Sequence, residues 1–220
     1  MATPDSRPVS DVAFTPAVKD IQTRRGSRRA YAHQEEGGGW QTDITPDLKA
    51  WIESQITAYL ATANAQGQPY VQHRGGPPGF LRVLDEHTIA WADFRGNRQY
   101  ITLGNLSENP KAHLFLMDYM HQQRVKIWGE ARVVVGDDDL IRKLMPEHYK
   151  ARGEQVIIFS VHAWDANCPQ HIPQLVPVDE VRPLLEERDR RIETLEAEVA
   201  RLRASARPAG GAKGETPRQP

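Results

Sequence analysis

Cysteine is almost absent from this chain: Cys168 is the single one among 220 residues. One cysteine excludes an intrachain disulfide framework and any zinc site built from several cysteines. Long apolar runs are missing too, since the longest, at 114–117 and 156–159, fall far short of the roughly 20 residues that a membrane-spanning helix needs. The sequence therefore predicts neither a membrane span nor a metal site.

Excess charge of one sign is also lacking. The chain has 28 Lys and Arg against 29 Asp and Glu, a formal net charge of -1. Proteins that hold nucleic acid by counterion release usually carry a basic excess, so we expect no nucleic-acid partner and only a local anion site. The first eleven residues have neither the basic start nor the apolar core of a secretory signal, which predicts a cytoplasmic protein.

Composition divides the chain into four segments: an arm at 1–44, a domain at 45–175, a helix at 176–204 and a tail at 205–220. The arm holds a basic cluster, Arg24 to Arg29, and three glycines at 37–39. It is either a solvated helix on a flexible hinge or a contact arm that reaches a partner subunit. The tail has no core-forming content, so we expect it to be disordered.

Alternating apolar residues predict an antiparallel fold for the central segment. Thr45, Pro46 and Asp47 are typical of a helix start. Strands are expected at 57–63, 70–74, 80–84, 88–94, 112–119, 124–135 and 155–164, with short helices near 98–107 and 138–145. A parallel sheet would need a helix after nearly every strand. The fold class is therefore mainly β: a split barrel of six or seven antiparallel strands, followed by a coiled-coil helix.

The predicted C-terminal helix carries a heptad pattern at positions 178, 181, 185, 188, 192, 195, 199 and 202. Arg188 is the one residue of this series that is not Val, Leu or Ile. An amphipathic helix packed on its own barrel would give a similar pattern. Dense charge on the other faces favours a narrow seam that meets another helix, so we expect self-association.

Two segments suit an anionic ligand. Residues 70–79 are a strand that ends in Arg74 and continues into glycines, which would let a ligand approach the backbone closely. In 93–99, Gly96 and Asn97 are expected to open a helix with Arg98 in its first turn. Helix N–H groups and a guanidinium suit phosphate. The alternative is that Arg74 and Arg98 only pair with surface acids.

The usual catalytic motifs are missing: there is no P-loop, GxGxxG, GxSxG or HExxH. Cys168 and His171 form a conceivable thiolate and base pair, but Pro169 lies between them and no acid is placed to orient the base. A metal site from His162, Cys168 and His171 would need a fourth ligand that the neighbouring sequence does not offer. No catalytic acid or base is predicted.

The hairpin at 70–76, the stretch WADFRGNRQYITLGNLSENPKAHLFLMDY and the stretch QQRVKIWGEARVV follow one another in the chain. In this order they resemble the FMN-binding split-barrel family related to pyridoxamine 5'-phosphate oxidase, over roughly residues 45–172. The resemblance implies an obligate homodimer with two FMN molecules at the subunit interface. The heptad helix predicts association independently.

The resemblance also transfers cofactor contacts to this sequence. In the family's phosphate stretch Gln99 replaces a second cation, for which Arg74 or Arg95 would compensate. Arg124 stands where the family has glutamine, and a cation there would stabilise reduced flavin. The expected cofactor-binding residues are Gln72, His73, Arg74, Gly75, Asp93, Asn97, Arg98, Gln99, Arg124, Trp164, Asn167 and Gln170.

The implied activity is that of an FMN-dependent oxidoreductase that transfers hydride through flavin N5, with a small-molecule substrate or NAD(P)H as partner. The oxidase's C-terminal Arg-x-His substrate clamp has no counterpart here, so the substrate is not specified. Two alternatives stay open. One is a non-catalytic flavin-carrying dimer, and the other is a haem-handling split barrel with His73, His113 or His162 as the axial ligand.

Overall fold

The structure is a computed structural model that describes residues 7–167 and 170–206. The described residues up to Gln174 form one compact unit, and those from Leu175 form a second. Cys168 and Pro169 lie outside the described residues, as does most of the predicted disordered tail. In the described part no helix is long and apolar enough to cross a bilayer.

The first unit is built on one seven-stranded sheet in the order β2-β1-β5-β6-β7-β4-β3, and its neighbouring strands pair antiparallel. This confirms the predicted mainly β class. Most strand bounds agree with the alternation in the sequence to within two residues. The strands are β1 Thr57–Ala63, β2 Pro69–Gly75, β3 Arg82–Asp85, β4 Thr88–Phe94, β5 Lys111–Asp118, β6 Gln123–Val134 and β7 Gly153–Asn167.

The sheet curls so that strands far apart in its order meet. Four strands, β1, β5, β6 and β7, separate β2 from β4. In a flat sheet that order would hold the two about 24 Å apart, at roughly 4.8 Å per strand. Instead, Arg74 Nη1 at the end of β2 lies 2.7 Å from Asp93 Oδ1 on β4. The ends of these two strands are therefore brought together at one rim.

The concave side of the sheet carries the core. In β6 the buried residues are Val125, Ile127, Gly129 and Ala131, which confirms the predicted alternation. Leu60, Leu114 and Phe159 from neighbouring strands are fully buried with them. Each such side chain stabilises the fold by about 1.5–3 kcal/mol relative to exposure.

Helices close the core and flank the sheet. Thr45 caps the helix before β1 as predicted, because its hydroxyl accepts a hydrogen bond from the Leu48 amide at 3.2 Å. Ile52 of that helix is fully buried. The helices of the first unit are α1 Pro16–Arg25, α2 Arg28–Glu36, α3 Pro46–Ser54, α4 Ile101–Glu108 and α5 Asp138–Leu144, preceded by a 3-10 turn at Val9–Val12.

The N-terminal arm lies on the outer side of the sheet. Trp40 is buried and stacks on Trp128 of β6, with ring centroids 4.4 Å apart. Phe14 packs against Trp40 with ring centroids 5.1 Å apart. Lys126 lies over both indoles and pairs with Asp165 at 3.1 Å. Phe14 and Trp40 of the arm are therefore packed on the sheet, whereas α1 buries only Gln22 and α2 buries no residue.

The second unit contains one long helix, α6 Val178–Ser205. No residue of this helix is buried. Its predicted seam is exposed except at Val181, which is half-buried, and Ile192, Leu195 and Val199 are each 43–44% accessible.

Candidate functional site

Two adjoining pockets lie at the rim where β2 meets β4. One has a volume of about 40 Å³ and is lined by the loop before α4, and the other has a volume of about 220 Å³ and reaches Trp91 and Phe80. The structure brings most of the predicted cofactor residues together here. Those that line one or both pockets are Gln72, His73, Arg74, Gly75, Asp93, Asn97, Arg98 and Gln99.

Arg74 and Asp93 form a buried ion pair between the two pockets. Their side chains are only 12% and 7% accessible, and Gln155 Nε2 donates to the second carboxylate oxygen of Asp93 at 2.8 Å. Burial raises the pKa of the Asp93 carboxyl, and Arg74 and Gln155 oppose that rise. Burial likewise lowers the pKa of Arg74, against the effect of Asp93. The sequence analysis expected Arg74 either to bind an anionic ligand or to pair with a surface acid. The pair with Asp93 differs from both, because this acid is buried.

The guanidinium of Arg74 keeps unused donor capacity. Its Nε is buried and has no hydrogen-bond partner among the described residues. The indole Nε1 of Trp91, which lines the same pocket, is buried without a partner as well. A buried donor left unpaired costs about 1–3 kcal/mol, so a ligand that accepts from these groups would recover that free energy.

Gln72 is held in place by α4. The Thr102 hydroxyl, 1% accessible, donates to Gln72 Oε1 at 2.7 Å. One helical turn later, Asn105 Nδ2 donates to the hydroxyl of Thr62 on β1 at 3.0 Å. These bonds fix α4 against the sheet and leave the Gln72 amide nitrogen as the group that can donate to a ligand.

The loop from Arg95 to Tyr100 differs from the prediction. The expected helix start at Gly96 and Asn97 is wrong, because α4 begins only at Ile101 after Tyr100 with a φ of 55°. Asn97 Oδ1 accepts from the Gln99 amide at 3.2 Å and Arg98 has a φ of 63°, so the chain forms a turn here. Arg98 therefore precedes the helix, and the predicted combination of its guanidinium with the N–H groups of its own helical turn does not occur.

Arg98 is held by a short polar chain. Its Nε donates to the Tyr100 hydroxyl at 3.0 Å, and that hydroxyl donates to Glu154 Oε1 at 2.9 Å. The bond to Tyr100 raises the pKa of Arg98, with Glu154 adding to the effect. The guanidinium is therefore cationic and positioned on the wall of the smaller pocket.

The glycines of the site have different roles. A Cβ on Gly76 would lie 2.6 Å from Phe80 Cβ, and one on Gly75 would lie 2.9 Å from His73 Cε1. These two glycines allow close packing within the protein, which corrects the expectation that they make room for a ligand. Gly96, which lines both pockets, has no atom within 4 Å of an added Cβ. It is the glycine that leaves backbone open to a ligand.

The remaining predicted residues lie elsewhere. Arg124 and Trp164 line a different pocket together with Trp51 of α3. Buried, unpartnered donors occur here too, Trp51 Nε1 and Arg124 Nε. Asn167 pairs with Arg124 in the sheet register, but its side chain lies outside the described residues, and Gln170 is exposed in the following turn.

The two groups of predicted residues are not brought together within one chain. Gln155 lines the rim pocket and Ala166 lines the Trp51 pocket, and both belong to β7. At about 3.3 Å per residue, the eleven steps between them span up to about 36 Å along the strand. Within one chain, the two groups of residues therefore line separate pockets.

Sequence reasoning missed Thr102, Tyr100, Glu154 and Gln155. The signal for Thr102 was its spacing of three and four residues from Asn105 and Leu106, which places all three on one helical face. Glu154 and Gln155 gave no comparable signal, because only the pairing of β7 with β4 places Gln155 opposite Asp93 and Glu154 at the adjoining register shift. Across residues 7–167 and 170–206, no three His, Cys, Asp or Glu side chains cluster as a metal would require.

The fold and the site define a class of mainly β protein in which a curled antiparallel sheet carries an arginine-lined pocket at its rim. The chain belongs to the pyridoxamine 5'-phosphate oxidase family, whose sequence model matches residues 44–168, more than half of its length. No curated protein sequence matches this chain.

Solved structures resemble it more distantly. HupZ of Group A Streptococcus is 20% identical, with a TM-score of 0.46 over 60% of this chain and 99% of its own. A Lactobacillus delbrueckii protein provisionally described as a pyridoxamine 5'-phosphate oxidase is 20% identical, with a TM-score of 0.44 over 57% and 95%. HutZ of Vibrio cholerae, described as a haem storage protein, is 18% identical, with a TM-score of 0.39 over 54% and 90%. None of these likenesses identifies a ligand for this chain.

Proposed function

We propose that this protein is an FMN-dependent oxidoreductase that binds the cofactor phosphate at the rim pocket. The observation that carries the proposal is Arg74, whose buried Nε has no partner among the described residues and whose charge is held between two pockets by Asp93. Membership of the pyridoxamine 5'-phosphate oxidase family agrees with a flavin phosphate as the anion.

The residues present fit such a group. Arg74 and Arg98 supply guanidinium donors suited to phosphate oxygens, and Gly96, which lines the same pocket, leaves its backbone accessible. The amide nitrogen of Gln72 and the indole of Trp91 are further donors on the walls. Bound FMN would supply hydride transfer at its N5 atom, with a small molecule or NAD(P)H as the second substrate.

We further propose that the site is completed in a homodimer. Within one chain, Arg124 and Trp164 line a different pocket from the one that Arg74 and Arg98 line. Trp51 Nε1 and Arg124 Nε are nevertheless buried donors that lack partners among the described residues. A second subunit that places its Trp51 pocket over the first subunit's rim pocket would join the two groups around one molecule.

Titration of the purified protein with FMN tests the cofactor, with the absorption spectrum before and after addition as the readout. We expect bound flavin, and an Arg98→Ala variant that binds FMN about tenfold to a hundredfold more weakly, as for loss of a charged hydrogen bond. Arg132→Ala is the matched control, because Arg132 is an exposed arginine of β6 and should leave affinity unchanged. Equal affinity of the Arg98 variant and the wild type would exclude Arg98 from the site.

The same spectra separate the alternatives. A haem Soret band would favour the second candidate function, for which His73 is the histidine that lines the rim pocket. Bound FMN that neither NADH, NADPH nor pyridoxamine phosphate reduces without oxygen would indicate a flavin carrier. A protein that retains no FMN after incubation with an excess and removal of the free cofactor would refute the proposal.

A further inference from the structure

The apolar seam of α6 is accessible on the helix surface. Its side chains repeat with the heptad spacing along one stripe of a 28-residue helix. Large apolar side chains exposed in a continuous stripe mark an interaction surface. In heptad notation, the a positions are Val178, Leu185, Ile192 and Val199, and the d positions are Val181, Arg188, Leu195 and Leu202.

We propose that α6 pairs with α6 of a second copy of this chain as a parallel, in-register, two-stranded coiled coil. β-branched residues at a with leucine at d favour two parallel strands. Val178, Ile192 and Val199 are β-branched a residues, and Leu195 and Leu202 occupy the last two d positions. This inference does not depend on the proposed cofactor.

The flanking charges fit the parallel arrangement. In a parallel pair, each g residue faces the e residue five positions later on the other helix. Arg191 at g then faces Glu196 of the second copy, and Glu198 at g faces Arg203. Both contacts join opposite charges, and each occurs twice by symmetry.

The antiparallel arrangement is less favourable. With Ile192 packed against Leu195 of the second copy, e residues would face e residues and g residues would face g residues. Asp189 would then face Glu196, and Arg182 would face Arg203, so like charges meet on one flank. On the other flank, Arg191 would still attract Glu198 of the second copy. The charges at the e and g positions therefore favour the parallel orientation.

Arg188 specifies the register. It is the one charged residue of the seam, and its Nη2 lies 3.3 Å from Asp189 Oδ1 of its own helix. In register, the two Arg188 side chains share one layer, where an Asp189 of each copy flanks them. A slip by one heptad would bury each guanidinium against Val181 or Leu195 instead. A single polar residue in a seam commonly fixes register at some expense of stability.

Disulfide cross-linking in the full chain tests the orientation, in a Cys168→Ser background that removes the native thiol. Leu202→Cys is a d position near the end of the helix, and Ala197→Cys is the matched control at the outer f position. A parallel in-register pair brings the two Leu202→Cys thiols together and keeps the two Ala197→Cys thiols apart. We expect at least several-fold more cross-linked dimer for Leu202→Cys, and equal yields would overturn the proposal.

Charge exchange then separates the two orientations. Glu198→Arg should lower the Leu202→Cys cross-linking yield several-fold, because it places two arginines in contact. Adding Arg203→Glu should restore the yield, because the contact again joins opposite charges, whereas adding Arg191→Glu instead should not, because it places two acidic side chains, at 191 and 196, in contact. Rescue by Arg191→Glu alone, or no effect of Glu198→Arg, would refute the parallel coiled coil.

Discussion

At the scale of single residues, the Arg74–Asp93 pair combines a structural and a binding role. The pair joins the ends of β2 and β4, and it is almost wholly buried. Removal of one partner from such a pair leaves an uncompensated charge, which typically destabilises a protein by about 3–5 kcal/mol. Arg74 would therefore be a poor first choice for a binding variant, because its loss also affects folding. Arg98, exposed in a turn, separates the two effects.

His113 makes stability depend on pH. It lies edge-on to Trp128 on the outer side of the sheet, where burial, helped by the Lys126 charge, lowers the pKa of its imidazole to about 4. The unfolded chain takes up this proton near its ordinary pKa of 6.5, while the folded chain does not until about 4. Since the unfolded state then binds more protons, stability falls as pH falls through that window.

A His113→Phe variant should therefore lose less stability than the wild type between pH 6.5 and 4, because the ring stays and the proton uptake is removed. Urea unfolding at about pH 7 and about pH 4.5 measures the difference. His162→Gln is the control, since His162 is exposed on β7 and its replacement should preserve the wild-type slope. An equal loss in the His113 variant would show that other groups cause the acid sensitivity.

At the scale of elements, the pairing of β6 with β7 requires close backbone approach at one glycine. Gly129 lies where the β6–β7 register shifts, and an added Cβ would be 1.9 Å from the Ser160 carbonyl oxygen. Because that atom belongs to the backbone of the neighbouring strand, it cannot move aside without disturbing the sheet.

Gly129→Ala should accordingly destabilise the fold by about 1–3 kcal/mol, the usual range for overpacking. Gly104→Ala is the matched control, because Gly104 lies in α4 with no atom within 4 Å of an added Cβ. Alanine there should be neutral or stabilising by up to about 1 kcal/mol. Thermal unfolding compares the melting temperatures of the two variants, and similar values would contradict the expected contact at Gly129.

The elements also show what could be predicted from sequence. Strands and the α3 cap were predictable because period-two alternation and the Thr45-Pro46 signal are local properties of the chain. The start of α4 was not, since the turn at Asn97 and the positive φ of Arg98 and Tyr100 accompany a contact with Glu154, which is distant in sequence. The same limit applies to the Arg74–Asp93 pair, which exists only once the sheet curls.

At the scale of the whole molecule, the proposed composite site makes a prediction about mixed dimers. Co-expressed subunits carrying Arg98→Ala or Arg124→Ala should form a hybrid dimer with one intact site and one doubly defective site. We expect each variant homodimer to bind FMN weakly, and the hybrid to bind one FMN per dimer with the wild-type affinity. Equilibrium titration of the tag-purified hybrid measures both numbers. Weak binding at both sites would mean that each site belongs to a single chain.

The shared guanidinium of Arg74 has a further consequence. Its Nη1 pairs with Asp93, and its Nε is buried without a partner among the described residues, so closure of the rim and binding of an anion would involve the same side chain. Coupling between two equilibria is reciprocal. The free energy by which rim closure strengthens anion binding therefore equals the free energy by which a bound anion stabilises the closed rim. A bound anion would then stabilise the contact between the ends of β2 and β4 against local opening.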